Sequence, residues 1–389
     1  MFNISESLIP NTWSLFNPTQ VIFGPNTLHK LAQLCPEERI GLITTAGAQH
    51  RGLVRQISAL LGERLVQVFD RVRPNPDYES LIAAAAEMRE ARPKCLVALG
   101  GGSAIDTAKV IARLLGGPEG ASLSGYLAHD VVLGSVAAIP MIAIPTTAGT
   151  GAEVTPFATV WDLTNGRKYS LVGDDLYPRT AIVDPLLTQG LPWRITVASG
   201  LDTVAHALES TWNRNATPIT LGLAVQSLSF AIPALLKLRQ SPNDSNARYD
   251  MMQASLLAGL AISQTRTALA HSISYPLTAR LGLEHGFAVA FTLPEILRFN
   301  IPVDDGRVSR LANELGYRSG SEFADDLERI FIELELKEFI GSVVPNSSEV
   351  FSLLGEMLNP ERADNNLRKV CYDDLTDIIR HALEAFHAS

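Results

Sequence analysis

The first half of the chain alternates short apolar segments with helical ones, and this alternation constrains the fold more than any other feature. Strands are predicted at 21–24, 39–45, 65–69, 95–99 and 141–144. Helices are predicted between them at 52–61 and from Asp77, in an N-cap position, to residue 91. Strands that are apolar along their whole length are typical of a parallel sheet with helices on both faces. We therefore expect an α/β domain over residues 1–188.

The second half has a different character, because strand patterns stop after Asp184 and Pro185. Just before that point, a hairpin-like addition is predicted from strands at 157–161, 168–171 and 181–183. Beyond it, helices are predicted at 198–211, 221–237, 254–267, 269–277, 308–314, 321–334 and 373–388, and the nearly all-apolar segment 287–293 is expected to be central to the helical bundle. Pro233 should kink or split the second of these helices. A chain of 389 residues is expected to form two domains, so we predict an all-helical domain over residues 189–389.

Composition argues against several classes of protein. Hydrophobic residues make up 46% of the chain and charged residues 19%, which is too apolar for a disordered protein. The net charge of −9, without a long basic run, argues against a nucleic-acid partner. Cys35, Cys95 and Cys371 share no motif spacing and are expected to be reduced thiols. There is neither a signal-peptide pattern nor an apolar stretch of about 18 residues, so we expect a cytoplasmic protein without a membrane partner.

A glycine loop follows the strand at 95–99. Gly100, Gly101 and Gly102 lead into a helix whose first two turns carry Ser103 and Asp106. This order exposes backbone N–H groups and the positive end of the helix dipole to a phosphate, and glycines let a ligand approach closely. The segment does not match the G-x-G-x-x-G fingerprint, and an ordinary tight strand–helix turn would have the same pattern.

A threonine-rich loop, Pro145 to Glu153, follows the strand at 141–144. It places the hydroxyl groups of Thr146, Thr147 and Thr150 among glycines. Threonines in such loops often cap their own turns. Two such loops at the ends of neighbouring parallel strands, however, would form the crevice in which α/β sheets bind ligands. The pairing therefore favours a nucleotide site.

One acidic residue and three histidines have the spacing of a metal site. Asp202 and His206 are four residues apart in a predicted helix and project from one face. His271 lies in a second apolar helix, and His285 follows 14 residues later, after a proline. Imidazole and carboxylate ligands suit Fe²⁺, Zn²⁺, Co²⁺ or Ni²⁺, and the lack of thiolates argues against structural zinc. For any one of these histidines alone, a hydrogen-bonded core or capping position is the alternative.

Together these motifs resemble the iron-containing (group III) alcohol dehydrogenase family over nearly the whole chain. The segments 100–109, 145–153 and 200–206 carry the resemblance, with His271 and the pair His285-Gly286. It implies a Rossmann-like α/β domain joined to an all-α domain, the fold shared with dehydroquinate synthase, with a dinucleotide cleft between them. It also implies Fe²⁺, with Zn²⁺ or another divalent metal as alternatives, together with NAD or NADP and a homodimer.

The resemblance also implies roles for individual residues. The metal ligands would be Asp202, His206, His271 and His285. The cofactor-binding residues would be Gly100, Gly101, Gly102, Ser103, Asp106, Thr146, Thr147, Thr150 and Lys168.

Two departures from the family pattern affect function. Relatives often have a histidine four residues after the third ligand, whereas this chain has Tyr275, which becomes the candidate for a proton relay. Many relatives that prefer NAD carry an aspartate after the second strand, where it meets the ribose hydroxyls. The segment from Leu42 to Gly47 has no acid, which removes repulsion against a 2′-phosphate and admits NADPH.

The substrate is suggested by Arg266, which has no acidic neighbour in sequence. A guanidinium near the metal would suit an aldehyde with an anionic group, and Arg362 is a second candidate for this contact. The segments 155–161 and 274–278 resemble the phosphonoacetaldehyde reductase branch of the family. The alternative for Arg266 is a helix cap or an ion pair with a distant carboxylate.

Three functions are compared on this basis. The first is a metal-dependent, NAD(P)-linked alcohol dehydrogenase or aldehyde reductase for a small aldehyde or primary alcohol, with anionic substrates such as phosphonoacetaldehyde included. The second is a metal-dependent lyase or cyclase of the dehydroquinate synthase type, which would need several lysines and arginines facing the metal, and the chain shows few. The third is a non-catalytic binding protein, against which the four filled ligand positions argue.

Overall fold

The computed structural model of the chain describes residues 12–117, 123, 127, 137–162, 167–344 and 346–386. The chain divides into two compact units. The first unit comprises Asn17–Gln189, and the second comprises the residues from Gly190 onwards together with the segment immediately before Asn17.

A six-stranded sheet forms the centre of the first unit, and every neighbouring pair of its strands is parallel. The strands are β1 (Gln20–Phe23), β2 (Ile40–Thr44), β3 (Leu65–Phe69), β4 (Cys95–Gly100), β5 (Met141–Pro145) and β8 (Thr180–Val183). Their order across the sheet is β1-β8-β5-β4-β2-β3. The helices are α1 (Leu31–Leu34), α2 (Ala46–His50), α3 (Leu53–Leu61), α4 (Tyr78–Glu90) and α5 (Gly102–Gly116). The predicted parallel sheet is therefore confirmed.

Alternate residues of β4 explain why its sequence is apolar throughout. Leu96 and Ala98 belong to a hydrophobic core shared with α4 and α5. Val97 and Leu99 belong to a second core, shared with α1 and α3. The strand is thus buried on both faces, as expected for a central strand of a parallel sheet. The predicted N-cap is also observed, since the Asp77 side chain accepts a hydrogen bond from the Ser80 N–H at 3.0 Å.

The predicted three-stranded addition is partly wrong. Strands β6 (Phe157–Asp162) and β7 (Arg167–Val172) do form an antiparallel hairpin. Strand β8, however, lies inside the main sheet between β1 and β5. All four residues of β8 are buried, and such a continuous apolar run belongs in a strand that is covered on both faces.

The second unit contains helices over its whole described length. They are α6 (Trp193–Thr211), α7 (Pro218–Gln240), α8 (Ser245–Thr265), α9 (Leu269–Leu281), α10 (His285–Ala290), α11 (Leu293–Asn300), α12 (Arg307–Glu314), α13 (Gly320–Glu333), α14 (Leu336–Gly341), α15 (Ser347–Ser352), α16 (Pro360–Ala363) and α17 (Tyr372–Phe386). Helix α8 starts nine residues before the predicted position, because the Asp244 side chain caps it by accepting from the N–H groups of Asn246 and Ala247.

The prediction of a kink or split at Pro233 is wrong about the split. Helix α7 runs unbroken through Pro233, so the predicted split does not occur. Packing against α6 and α8 holds this helix together despite the missing N–H group. The segment 287–293, which is expected to be central to the bundle, is buried throughout and spans the end of α10 and the start of α11.

Helix α7 also corrects the expectation that no apolar stretch reaches membrane-spanning length. Among the described residues it is the one helix long and apolar enough to cross a membrane, and 44% of its most apolar 18-residue window is buried. Core helices of globular proteins have the same length and composition. Helix α7 packs against α6 and α8, as a core helix does.

Candidate functional site

The two predicted cofactor loops lie side by side in the first unit. Strands β4 and β5 are neighbours, and the Thr146 N–H donates a hydrogen bond to the Gly100 carbonyl at 3.0 Å. Gly101 occupies the N-cap position of α5, and no described side chain caps this helix. The first N–H groups of α5 therefore remain available to an anion, which is what a phosphate site requires.

The glycines of the first loop make room for the threonines of the second. A Cβ atom added at Gly101 would lie 2.8 Å from Thr147 Oγ1, and one at Gly102 would lie 2.6 Å from Thr150 Cγ2. Both separations are too short for ordinary packing. Glycine is needed here for a close approach between the loops, in addition to the approach of a ligand that the sequence suggested.

The other predicted cofactor residues lie nearby in the same unit. Ser103 is half-buried in the first turn of α5. Asp106 Oδ2 accepts a hydrogen bond from the Thr159 N–H at 2.9 Å, which links α5 to the β6–β7 hairpin. The Lys168 ammonium lies 5.4 Å from the ring centroid of Trp161. The structure thus gives Asp106 a structural contact with the hairpin, which the sequence did not indicate.

The end of β2 lacks an acidic group, as the sequence indicated, and its threonines have local partners. The Thr44 hydroxyl donates to the Leu99 carbonyl at 2.7 Å. The Thr45 hydroxyl caps α2 by accepting from the Ala48 N–H at 3.3 Å. A Cβ atom at Gly100 would lie 3.9 Å from Thr45 Cγ2, so this strand end borders the glycine loop.

Two buried ionisable side chains, Lys109 and Glu153, lie near the end of the threonine loop. Lys109 is almost fully buried, and its ammonium donates to the carbonyls of Thr155 at 2.7 Å and Phe157 at 2.9 Å. Burial lowers the pKa of Lys109 to about 8. Burial also raises the pKa of Glu153 to about 7, and Glu153 Oε1 has no hydrogen-bond partner among the described residues. Ionised Glu153 is therefore less stable in the folded protein than in the unfolded chain.

We expect the substitution Glu153→Gln to change how stability depends on pH. The pKa of Glu153 is higher in the folded protein than its ordinary value of 4.5, so the stability linked to its proton is present below pH 4.5 and is lost as the pH rises through 7. The free energy of unfolding of the glutamine variant, relative to wild type, should rise by about 2 kcal/mol between pH 5 and pH 8. Denaturant titrations at several pH values would measure this.

The exposed Glu79 provides the control for this experiment. The variant Glu79→Gln, measured over the same pH range, shows the effect of the same chemical change at a surface position. A parallel pH dependence of the Glu153→Gln variant and wild type would contradict the assignment of the titration to Glu153.

The four predicted metal ligands converge in the second unit. Helix α6 carries Asp202 and His206, α9 carries His271 in its first turn, and His285 is the first residue of α10. Asp202 Oδ1 lies 3.5 Å from the Nε2 atoms of His206 and His271 and 3.8 Å from Nε2 of His285. The Nε2 atoms of His206 and His271 are 3.1 Å apart. Asp202, His271 and His285 thus bring one donor atom each within 4.8 Å of the others, and His206 borders this group through Asp202 and His271.

The donor set fits a divalent cation. Asp202 Oδ1 is buried without a hydrogen-bond donor among the described residues, a costly state for a carboxylate that lacks a cation. Burial alone would raise the pKa of Asp202, but the three surrounding histidines lower it well below its usual range. Burial alone would lower the pKa of His271, but the charges of Glu209 and Asp202 raise it to about 9. Three of the four side chains are almost completely buried, whereas His285 is 30% exposed.

Glu209 is a residue of this site that the sequence analysis missed. It is fully buried, and its Oε2 accepts a hydrogen bond from His271 Nδ1 at 2.7 Å. The same carboxylate accepts from the N–H groups of Ala268 at 2.7 Å and His271 at 3.2 Å. The available signal was its position in α6, seven residues after Asp202, which places it on the same face of the helix.

Tyr275 lies one turn after His271 in α9, and its hydroxyl accepts a hydrogen bond from Arg362 Nε at 3.3 Å. Arg362, the weaker of the two candidates for an anion contact, is largely buried there. Ser272 fixes the segment before Arg362, since its hydroxyl donates to the Met357 carbonyl at 2.6 Å and accepts from the Asn359 N–H at 2.8 Å.

Arg266 is the C-cap residue of α8, as the helix-cap alternative expects, and its N–H donates to the Ile262 carbonyl at 2.8 Å. Its side chain is exposed. Its φ of 62° and ψ of 177° are strained for any residue but glycine. Side chains around it fix this backbone, including Asn213, which donates to the Arg266 carbonyl at 3.1 Å. Within the described part of the chain its guanidinium makes no ion pair, so the alternative of a distant carboxylate partner finds no support there. The structure does not place it among the metal-ligand side chains.

A second group of potential ligands lies in the first unit. Cys35 Sγ and Cys95 Sγ are 3.5 Å apart, both buried, and Glu37 lies beside them. The Glu37 carboxylate is already paired with Arg179, whose Nη1 is 2.5 Å away. A guanidinium at this distance opposes a cation, so this group is a poor metal site.

Each half of the chain matches a model of a known protein family. Residues 18–185 match the model of the iron-containing alcohol dehydrogenase family, and residues 196–383 match that of the Fe-containing alcohol dehydrogenase family, C-terminal. A phosphonoacetaldehyde reductase from Streptomyces viridochromogenes is 39% identical over 235 residues, 59% of this chain and 58% of that protein. A 4-hydroxybutyrate dehydrogenase from Cupriavidus necator is 36% identical over 316 residues, 77% of this chain and 81% of that protein.

Among solved structures, the sulfoacetaldehyde reductase from Bifidobacterium kashiwanohense in complex with NAD⁺ superimposes with a TM-score of 0.89. It is 27% identical, and the alignment covers 96% of this chain and 99% of that structure. The matched region spans less than two thirds of the Streptomyces reductase but four fifths of the Cupriavidus enzyme. The two family models, together with the 36% identity to the Cupriavidus enzyme, show that the chain belongs to the iron-containing alcohol dehydrogenase family.

Proposed function

We propose that this protein is a metal-dependent, NAD(P)-linked alcohol dehydrogenase or aldehyde reductase. The observation that carries the proposal is that Asp202 Oδ1 lies within 3.8 Å of the Nε2 atoms of His206, His271 and His285. Carboxylate and imidazole donors suit Fe²⁺, the metal in the name of the family, and would also bind Zn²⁺. Family membership favours this activity over a lyase or cyclase of the dehydroquinate synthase type.

In the proposed reaction, each unit of the chain has a separate task. Residues 1–188 form the dinucleotide-binding domain, in which Gly100, Gly101, Gly102, Ser103, Asp106, Thr146, Thr147, Thr150 and Lys168 bind NAD or NADP. Residues 189–389 form the metal-binding domain. When bound, the metal supplies Lewis acidity toward the substrate oxygen and the nicotinamide supplies the hydride.

The chain's own residues position these groups. Asp202 supplies the single negative charge of the ligand set, and the histidines would bind the metal as neutral donors, with the metal in the place of the Nε2 proton. His285, the most exposed ligand, marks the side from which a small substrate can approach. The Tyr275 hydroxyl, held by Arg362, is proposed as the relay that exchanges a proton with the substrate oxygen.

We further propose that the protein is a cytoplasmic homodimer and that it accepts NADPH. The cysteines are free, which suits a reducing compartment. Thr44 and Thr45, in place of an acid at the end of β2, would not repel a 2′-phosphate.

The substrate is proposed to be a small aldehyde with an anionic group, such as phosphonoacetaldehyde. The three relatives described above are named for compounds that carry a phosphonate, a carboxylate or a sulfonate. Arg266, whose guanidinium has no ion pair within the described chain, and Arg362, beside Tyr275, are the proposed contacts for that group.

Oxidation of NADH or NADPH by the Fe²⁺-loaded protein tests the activity. A panel should include phosphonoacetaldehyde, sulfoacetaldehyde, succinic semialdehyde and neutral aldehydes of similar size, with absorbance of the reduced cofactor as the readout. Turnover with at least one aldehyde is expected. No oxidation of either cofactor with any aldehyde, in protein shown to contain metal, would refute the proposed activity.

The anion contact predicts a selective defect. We expect Arg266→Ala to raise KM for the anionic aldehyde by about 10- to 100-fold, the range for a lost charge-assisted hydrogen bond, and to leave KM for a neutral aldehyde nearly unchanged. Arg362→Ala is measured in parallel, and Arg280→Ala, an exposed arginine of α9 paired with Glu356, is the control. Equal losses for neutral and anionic aldehydes in Arg266→Ala would argue against its role, and a selective loss only in Arg362→Ala would assign the contact to Arg362.

A further inference from the structure

One face of α6 carries three acidic or imidazole side chains at helical spacing. Asp202, His206 and Glu209 occupy positions i, i+4 and i+7. Asp202 and His206 point their donor atoms at the proposed metal, whereas Glu209 is two turns along the helix from Asp202 and does not reach it. All three side chains are almost fully buried. Burial of a glutamate carboxylate without a cation or a hydrogen-bond donor would cost free energy, so the groups that contact Glu209 indicate its role.

Among the residues that the structure describes, every partner of Glu209 belongs to one short segment, the start of α9. Its Oε2 accepts from His271 Nδ1 and from the Ala268 N–H, each at 2.7 Å, and its Oε1 accepts from the His271 N–H at 3.2 Å. The N-cap residue of α9 is Ala268, whose side chain cannot cap the helix. Glu209 therefore holds both the backbone at the start of the helix and the ring of the residue that points at the metal.

We infer that Glu209 is a positioning residue that fixes the orientation and tautomer of His271 for metal binding. Because Nδ1 is engaged by the carboxylate, Nε2, the atom that faces Asp202, is the ring nitrogen left to bind the metal. A carboxylate behind a ligating imidazole also makes that imidazole a stronger donor. Helix α6 thus supplies two ligands directly and controls a third that lies 62 residues away from Glu209 in sequence. This inference rests on the proposed metal site, and its test does not depend on the proposed reaction.

A purely structural alternative exists, in which Glu209 only caps α9. The two roles predict different results, because a cap affects stability wherever it lies, whereas a positioning residue also affects metal affinity. Asp244 provides the matched control, since its side chain caps α8 by accepting hydrogen bonds from two backbone N–H groups.

The experiment measures Co²⁺ binding to full-length protein by its visible absorption, for wild type, Glu209→Gln, Glu209→Ala and Asp244→Ala. Glutamine keeps the size of the side chain and can still accept from His271 Nδ1, but it removes the charge. We expect the Kd for Co²⁺ to rise about 10-fold in Glu209→Gln and up to about 100-fold in Glu209→Ala, the range for lost carboxylate partners of metal-bound histidines. The Co²⁺ absorption band should shift in both. Asp244→Ala should bind Co²⁺ as wild type does.

Wild-type affinity and an unchanged band in a folded Glu209→Gln protein would overturn the inference. So would equal, small changes of affinity in Glu209→Ala and Asp244→Ala. If Glu209→Ala does not fold, Glu209→Gln decides the question. Failure of the enzyme to oxidise NAD(P)H would refute the proposed activity but would leave these Co²⁺ affinities interpretable.

Discussion

Replacement of Asp202 by asparagine is expected to abolish metal-dependent activity while the fold is retained. Asparagine has nearly the same shape but removes the only negative charge among the four proposed ligands. Its amide would face the Nε2 atoms of three histidines, 3.5 to 3.8 Å from the present Oδ1. Metal affinity should fall by more than about 100-fold, because loss of an indirect carboxylate partner alone costs about 10- to 100-fold.

Metal content after dialysis and a chelator competition would measure this loss, together with kcat at saturating metal. Asp184→Asn is the control, since Asp184 is also buried and accepts from the N–H groups of Leu28 and Leu186, but lies in the other unit. That variant should lose stability and keep its metal. An Asp202→Asn protein that retains one metal per chain with wild-type affinity would show that the proposed site is wrong.

The sequence was informative about this site where chemistry and spacing coincide in one element. Asp202 and His206 could be grouped because a helix brings residues i and i+4 to one face. The same helical spacing places Glu209, at i+7, on that face, but the sequence does not indicate which group Glu209 contacts. Its partner, His271, is 62 residues away, and only the packing of α9 against α6 brings the two together.

The fold, too, was predictable from patterns within single elements, but not from contacts between distant ones. Continuous apolar strands predicted a parallel sheet, and the sequence also indicated that the glycine and threonine loops would be neighbours. It did not indicate that Gly101 and Gly102 accommodate Thr147 and Thr150, a contact between loops that follow different strands. Strand β8 was assigned to the hairpin because it follows β7 in sequence, whereas sheet order depends on which core its buried residues join.

Gly286→Ala is expected to have the second large effect, because α10 touches α6 at this residue. A Cβ atom at Gly286 would lie 1.8 Å from the Ala198 carbonyl oxygen, a backbone atom that cannot rotate away. The two helices would have to separate, and His285, the preceding residue, would move away from Asp202. We expect the free energy of unfolding to fall by at least about 1–3 kcal/mol, the range for overpacked cores, and metal affinity to fall with it.

Gly222→Ala distinguishes this clash from a general effect of adding a methyl group. Gly222 is an exposed residue in the interior of α7, and nothing lies within 4 Å of an added Cβ atom there. Alanine should stabilise that helix by about 0.5–1 kcal/mol, because it restricts the unfolded chain and favours helix. The two substitutions are chemically identical, so opposite signs in thermal unfolding would reflect only the space at each position. If Gly286→Ala kept wild-type stability and metal affinity, the contact between α10 and α6 could not be what sets the position of His285.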